Sequence, residues 1–403
     1  MIHKYQPYMT VLGFLGLLVV FIVGATYVFG FDIMPQPAGV YFTHEVSVDD
    51  VREKFYTQKK PITILIVPGH EPDAGGAEYK DFKERDWNVD LAIELEKLFA
   101  QDDRFDVTLA RDTEDWHEPL EEFLDEKEKS TKKIVAKQKQ RTEELIEAGE
   151  LSFPNVVRHG DAPERVALLL HGINQWANKE RFDIVLNIHF NDNGSRDLKK
   201  NWPSGLAIYV PDEQYANGKA SFVLGEYVLE KLKPFYAVSN LGQEETGVVP
   251  NEKLIALGVH NTLRPMSLLI EYGYIYEPKF KDDAVRNVLM TDLAHQTYWG
   301  VEEFFVDTLP EQRIVRTTLV DIPELIEPPL RRVKTQSLQV LKLQAMMRWI
   351  GAFPVGDTLS NCPIDGYYGD CTFNAVKKFQ EFNGVEVDGV VGEETFNILE
   401  KLI

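Results

Sequence analysis

The chain has 403 residues, of which 44% are hydrophobic and 27% charged, and its formal net charge is −21. This length and composition exclude a disordered chain and predict about two or three folded domains. The acidic balance argues against a nucleic-acid partner, because binding phosphates requires a basic surface. Two cysteines, Cys362 and Cys371, are too few for a disulfide-stabilised scaffold.

The N-terminal region contains an apolar segment, residues 9–31, that has no charged side chain. A helix of this length can cross a bilayer, and Lys4 on its N-terminal side favours a cytoplasmic tail at residues 1–8. We therefore predict an uncleaved signal anchor with the rest of the chain exported; a cleaved signal peptide is the alternative. Residues 32–60 are interpreted as a short polar stem, partly ordered.

Apolar runs alternate with helical patterns after the stem and predict the strands of one sheet. The predicted strands are residues 62–67, 105–110, 184–190, 205–210 and 266–271. Strands that alternate with helices indicate an α/β fold with an open, twisted, mainly parallel sheet flanked by helices. We assign this domain to residues 61–308.

A charged stretch, residues 118–147, interrupts this domain within an insertion of about residues 114–150. Its sparse apolar positions predict one or two solvated helices. The insertion follows the strand at 105–110, at the sheet edge where α/β proteins bind ligands. There are therefore two interpretations of the insertion. It is either a segment that only covers the protein surface, or a lid or partner-docking arm over the active site.

The C-terminal part begins with a linker, residues 309–336, which contains four prolines and little periodicity. Residues 337–403 then contain an internal repeat, in which the pattern DGxxGxxTFN starts at Asp365 and again at Asp388. The glycines suit tight turns, and each Thr-Phe-Asn opens a helix. We predict a small three-helix domain.

The first chemical signal is a histidine at a strand end. The strand at 62–67 is stopped by Pro68 and Gly69, which leaves His70 at its tip, and the helical pattern that follows places Glu84 on the inward face. Side chains at the carboxyl ends of parallel strands share one rim. An imidazole and a carboxylate are two of the three protein ligands that a catalytic zinc requires.

Two further strands end in residues of the same kind. The strand at 184–190 carries His189 as its last inward residue, and the strand at 266–271 delivers Glu271 directly before a glycine turn. Burying an unpaired carboxylate is costly, which favours a functional role for Glu271. We predict that the four residues converge on one site.

These segments resemble the zinc-dependent N-acetylmuramoyl-L-alanine amidases. The resemblance lies in VPGH ending at His70, ERDWNVDLA starting at Glu84, NIHFN around His189 and LLIEYGYI around Glu271. It covers residues 61–308. It implies one Zn²⁺ held by His70, Glu84 and His189, with Glu271 as the catalytic acid/base. The implied reaction is hydrolysis of the amide bond between N-acetylmuramic acid and L-alanine of the peptidoglycan stem peptide.

Several positions depart from that family's pattern. Val67 replaces an aspartate, Glu71 replaces a glycine, and Phe190 replaces a small residue, which we expect to narrow the groove beside the metal. Glu71 and Glu78 are rival carboxylates, but the helix register after Glu84 favours Glu84. Five other histidines lack a matching context and are interpreted as structural or surface residues: His117, His159, His171, His260 and His295.

The C-terminal repeat resembles the widespread peptidoglycan-binding domain. The two resemblances together imply a cell-envelope hydrolase whose partners are peptidoglycan, the cytoplasmic membrane through residues 9–31, and an activator protein at residues 114–150. A zinc peptidase that cuts within the stem and an inactive wall-binding tether are the alternatives. In an exported domain the spacing of Cys362 and Cys371 suits a disulfide; two buried thiols are the alternative.

Overall fold

The computed structural model describes residues 45–57, 60–153, 162–193, 202–306, 327–354 and 362–402. The predicted anchor and most of the predicted linker lie outside these ranges. In the ranges that are described, the helices are all too short or too polar to span a membrane.

A mixed sheet forms the centre of the fold. In chain order the strands of the described ranges are β1 (Ile62–Pro68), β2 (Glu78–Tyr79), β3 (Phe82–Lys83), β4 (Phe105–Leu109), β5 (Ile184–Asn191), β6 (Ala207–Pro211), β7 (Val248–Asn251) and β8 (Met266–Tyr274). Six of them form one sheet in the order β4-β1-β5-β8-β6-β7, while β2 and β3 form a separate hairpin. Strands β4, β1, β5 and β8 are parallel, and β6 is antiparallel to β8. The predicted α/β class with a mostly parallel sheet is confirmed.

Helices cover both faces of the sheet. In chain order the α-helices of the described ranges are α1 (Val48–Thr57), α2 (Glu84–Ala100), α3 (Glu118–Glu147), α4 (Glu164–Glu180), α5 (Gly218–Leu232), α6 (Asp283–Phe305), α7 (Leu338–Trp349), α8 (Asp370–Asn383) and α9 (Glu393–Lys401), of which the last three belong to the C-terminal domain. Ile64 and Ile66 of β1 face the core under α2, α5 and α6, whereas Leu65 and Val67 face the core under α3 and α4. Burial on both faces explains why this strand is a continuous apolar run.

The charged insertion forms the single helix α3. Leu120 and Phe123 are buried in the core against α4, and the Thr142 hydroxyl lies 3.0 Å from Nδ1 of His260. The helix therefore packs across α4 and the turn Val259–Asn261 as an outer layer of the domain. Its remaining surface is exposed and charged.

The predicted polar stem contains α1, which is fastened to the domain. Nε of Arg52 donates to the Phe304 carbonyl at 2.7 Å, and Lys54 pairs with Asp183 at 2.5 Å. Asp183 directly precedes β5, so α1 lies near the amino ends of the strands.

The C-terminal helices α7, α8 and α9 contain the internal repeat as two equivalent turns. The side-chain oxygen of Gln344 accepts the Gly366 N–H at 2.8 Å, and that of Gln380 accepts the Gly389 N–H at 2.8 Å. Cys362 and Cys371 form the predicted disulfide.

Candidate metal centre

Three of the predicted site residues meet at the carboxyl ends of β1 and β5. The Glu84 carboxylate lies between two imidazoles: its Oε2 is 2.9 Å from Nε2 of His70, and its Oε1 is 3.0 Å from Nδ1 of His189. One ligand atom from each of the three residues lies within 4.8 Å of the others. This arrangement could hold a divalent metal ion.

The donor atoms fit a zinc ion in their chemistry as well as in their placement. Nε2 of His70 is buried and makes no hydrogen bond, although it approaches Glu84 closely. Buried polar atoms normally have a partner, so an unsatisfied ring nitrogen points to a ligand that completes the site. Two imidazoles and one glutamate are a donor set of catalytic zinc sites that keep one position open.

Two glycines give the ligands room. A Cβ atom added at Gly69 would lie 2.3 Å from Cε1 of His189, and one added at Gly76 would lie 2.9 Å from Cδ2 of His70. Gly76 also has a φ of +83°, which favours glycine. His70 itself has a φ of 67°, an uncommon conformation for a side-chain-bearing residue. The surrounding structure must therefore hold the loop in place.

Arg111 holds much of this loop in place through hydrogen bonds to its main chain. It is 2% exposed. Its Nε donates to the carbonyl of His70 at 2.8 Å, and its Nη2 donates to the carbonyls of Gly69 at 2.7 Å and Arg85 at 3.1 Å. Nη1 donates to the Asp112 carbonyl at 2.9 Å. One guanidinium thus connects the loop that carries His70 with the first turn of α2, which carries Glu84. The sequence analysis did not identify this residue.

The charges of the site favour a neutral imidazole beside an ionised carboxylate. Burial opposes ionisation of Glu84, but its contacts with His189 and His70 outweigh burial and hold the pKa of this carboxyl well below its usual range. Burial lowers the pKa of His189, which favours the neutral ring. Neutral imidazole is the form that binds metals.

Glu271 lies directly across from His189 in the register of β5 and β8. Its side chain is buried, and its Oε2 has no hydrogen-bond partner. Burial, followed by the negative charges of Glu84 and Glu244, raises the pKa of Glu271 well above the usual value for a glutamate. A carboxyl whose pKa is raised in this way binds a proton more readily than an exposed glutamate does.

Glu244 is a second buried carboxylate near the site that the sequence analysis missed. It accepts hydrogen bonds from the hydroxyls of Tyr209 at 2.5 Å and Tyr274 at 3.3 Å. Burial and the neighbouring Glu244 raise the pKa of Tyr209, so this hydroxyl stays protonated and donates. No flanking apolar run marks Glu244, because it lies in a polar loop before β7.

The rival residues lie elsewhere. Glu71 forms a bidentate pair with Arg165 at 2.5 and 2.6 Å, and Glu78 pairs with Arg85 at 3.2 Å.

The expectation that Phe190 narrows the metal groove is wrong, because this ring is fully buried in an aromatic cluster with Trp87 and Phe280.

The remaining histidines do not join the cluster. In the described ranges the only group that could hold a metal is the one at His70, Glu84 and His189. Four of the five histidines interpreted as structural or surface residues are described, and each lies outside that group; His159 lies outside the described residues.

The model of the N-acetylmuramoyl-L-alanine amidase family matches residues 64–303, more than half of the chain. The chain belongs to this family. The amidase is therefore a peptidoglycan hydrolase that cleaves the bond between N-acetylmuramic acid and L-alanine of the stem peptide. Residues 336–399 match the model of a peptidoglycan binding domain.

The amidase is similar to several solved structures. One is the CwlD amidase of Clostridioides difficile in complex with the GerS lipoprotein, with 17% identity over 61% of this chain and 100% of that chain and a TM-score of 0.40. Another is Ami1 of Mycobacterium smegmatis, with 12% identity over 62% of this chain and 100% of that chain and a TM-score of 0.39. No curated protein matches the amidase.

Proposed function

We propose that the amidase holds one zinc ion through His70, Glu84 and His189 and uses Glu271 as its catalytic acid/base. The convergence of three ligand atoms within 4.8 Å of one another, beside a buried carboxyl, carries the proposal. When bound, zinc supplies a Lewis acid that polarises the scissile carbonyl and makes water more acidic. The chain's own residues orient the ligands and transfer the proton.

Glu271 is suited to move that proton. Its Oε2 is free of hydrogen bonds, and burial raises the pKa of this carboxyl above its usual value, which makes it a stronger base than an exposed glutamate. In this mechanism the carboxylate accepts a proton from the attacking water and then donates it to the departing amine of L-alanine. Arg111 contributes by fixing the loop of His70 and the first turn of α2.

The test compares the wild type with Glu271→Gln in zinc content and in digestion of isolated sacculi. The variant should keep one zinc and lose about 10²- to 10⁴-fold in rate, as expected when a general acid/base is removed. Glu78→Gln changes an exposed carboxylate that is not part of the metal-ligand group and serves as the matched control, with unchanged activity. Wild-type products should carry a free N-terminal alanine. Shortened stem peptides would instead support a peptidase, and wild-type protein without zinc would contradict the proposal.

We also propose that the amidase acts outside the cytoplasmic membrane, anchored through residues 9–31. The uncharged apolar character of that segment supports the proposal. The disulfide between Cys362 and Cys371 supports it independently, because disulfides persist in oxidising compartments. Protease added to spheroplasts should digest the amidase domain; protection of that domain in intact spheroplasts would contradict the proposal.

We propose further that an activator protein docks on the charged face of α3. Deleting the insertion is not a clean test, because Leu120 and Phe123 would be lost from the core. Reversing the exposed charges of Lys129, Lys132 and Lys133 leaves that core intact. These reversals should reduce sacculus cleavage in cells while the purified variant keeps wild-type activity. Full activity of the variant in cells would contradict the proposal.

A further inference from the structure

The C-terminal helices dock on the catalytic domain through a buried ion pair. Arg348, in the last turn of α7, donates to both carboxylate oxygens of Asp292 on α6, at 2.9 and 3.2 Å. The two side chains are 11% and 4% exposed. The guanidinium also lies 3.6 Å from the centre of the Phe235 ring. A buried pair depends on both partners, because removing one leaves the other charge uncompensated.

Two further contacts hold the C-terminal domain in the same orientation. The Ile364 N–H, in the loop that the disulfide closes, donates to the Phe235 carbonyl at 3.0 Å. Nζ of Lys342 on α7 lies 3.5 Å from Asp282, the residue that caps α6. These contacts come from separate parts of the C-terminal domain. They therefore fix its orientation on the catalytic domain, which a flexible tether would not do.

A chain of buried polar side chains leads from this interface toward the active site. The Tyr236 hydroxyl donates to Asp292 at 2.6 Å. The ring of Tyr236 lies 5.6 Å from Nζ of Lys279, which pairs with Glu277 at 3.0 Å. All four side chains are buried. Apart from the neutral Tyr236, the side chains from Glu277 through Lys279 and Asp292 to Arg348 alternate in charge.

Glu277 ends this chain at the strand that carries Glu271. Its Oε1 accepts the N–H of Tyr274 at 2.8 Å and the N–H of Gly205 at 2.9 Å. Tyr274 is the last residue of β8, and Gly205 precedes β6, whose first residue, Ala207, lies opposite Glu271 in register. Glu277 thus joins the two strands at the edge of the sheet where the reaction takes place.

We propose that the C-terminal domain, besides binding peptidoglycan, holds the end of β8 and with it Glu271 in the catalytic geometry. Arg348 is the positioning residue: it compensates Asp292 and thereby keeps Tyr236, Lys279 and Glu277 in their places. The proposal rests on the proposed role of Glu271. A domain that served only as a wall-binding tether would affect cleavage of sacculi, whereas this arrangement also affects cleavage of a soluble muropeptide.

The experiment uses the full chain as wild type, Arg348→Met, Arg348→Lys and Arg332→Met. Arg332 is the matched control, since it pairs with the exposed Asp370 and lies over Phe373 within the C-terminal domain. On a soluble disaccharide-tripeptide, Arg348→Met should lower kcat about tenfold, within the range of coupling effects in proteins, and leave KM and zinc content unchanged. Arg348→Lys should recover part of kcat, and Arg332→Met should match the wild type.

Hydrogen exchange gives a second readout that does not depend on activity. In Arg348→Met, the amides of residues 272–280 should exchange faster than in the wild type, with those of β1 unchanged. Wild-type kcat and wild-type exchange in a folded Arg348→Met chain would overturn the proposal. If Arg348→Met does not fold, the double variant Asp292→Asn/Arg348→Met removes both buried charges and should show the same two changes; their absence overturns it. An inactive wild type would contradict the proposed function instead, and the exchange measurement would still decide this inference.

Discussion

Nε of Arg111 donates a hydrogen bond of 2.8 Å to the main-chain carbonyl of His70. The same guanidinium holds the Arg85 carbonyl at the start of α2. Arg111→Met should therefore loosen the candidate zinc site without removing a ligand. We expect zinc affinity to fall about 10- to 100-fold, the usual effect of losing a residue that orients ligands. Competition titration with a zinc chelator measures it.

Arg141→Met is the control for that change, because Arg141 lies on the exposed side of α3 and pairs with Glu144. Its zinc affinity should equal that of the wild type. Arg111→Lys keeps the charge but cannot reach several carbonyls at once, so it should behave like Arg111→Met. Wild-type zinc affinity in a folded Arg111→Met chain would contradict the prediction. It would show that the other contacts of the loop are enough to hold the zinc ligands in place.

Gly69→Ala should displace the His189 ring. The added Cβ would lie 2.3 Å from the ring, a distance that forces a movement. Because His189 contributes one of the three ligand atoms, we expect loss of stoichiometric zinc at micromolar concentrations. Gly369→Ala is the matched control, since its Cβ would meet no atom within 4 Å. Zinc content after dialysis distinguishes the two variants, and a zinc-loaded Gly69→Ala chain would contradict the prediction.

The sequence predicts the strands that carry the site because each is buried on both faces. Residues 62–67, 184–190 and 266–271 are apolar runs, and their polar ends mark the rim at which His70, His189 and Glu271 lie. The short strand β7 could not be predicted in this way, since its four residues follow a glycine and include Pro250, and so few residues show no alternating pattern.

Arg111 and the docking of the C-terminal domain could not be predicted from the pattern. The partners of Arg111 are main-chain carbonyls of separate segments. Every residue has such a carbonyl, so the residue types in the sequence do not indicate which ones Arg111 contacts. Likewise, Arg348 and Asp292 are ordinary helix residues in sequence and meet only when α7 packs on α6. The helix α1 was detectable, because Val48, Val51 and Phe55 share one helical face.

Removing the disulfide should destabilise the C-terminal domain. Cys362 and Cys371 are nine residues apart, and closing a loop of that size stabilises a fold by about 3 kcal/mol in the chain-entropy account. The double variant Cys362→Ser/Cys371→Ser should therefore unfold at lower urea concentration. Reductant should shift the wild type to the same midpoint and leave the double variant unchanged. Equal midpoints for all samples would contradict this prediction.

Protonation of His171 should destabilise the folded domain as the pH falls. The imidazole is 6% exposed on α4, and its Nδ1 has no hydrogen-bond partner. Burial and the nearby His260 lower the pKa of His171 to about 4. The unfolded chain, with a histidine pKa of about 6.5, takes up this proton first, so stability present above that pH is lost as the pH falls toward about 4.

The loss attributable to His171 amounts to about 3 kcal/mol between pH 7 and pH 4, from a shift of about 2.5 pKa units. His171→Gln should lose less stability over this interval than the wild type. His117→Gln removes an exposed histidine at the start of α3 and should follow the wild-type curve. Urea unfolding at pH 7, 6, 5 and 4 measures the difference. Parallel pH curves for the wild type and His171→Gln would mean that the folded chain binds this proton as readily as the unfolded one.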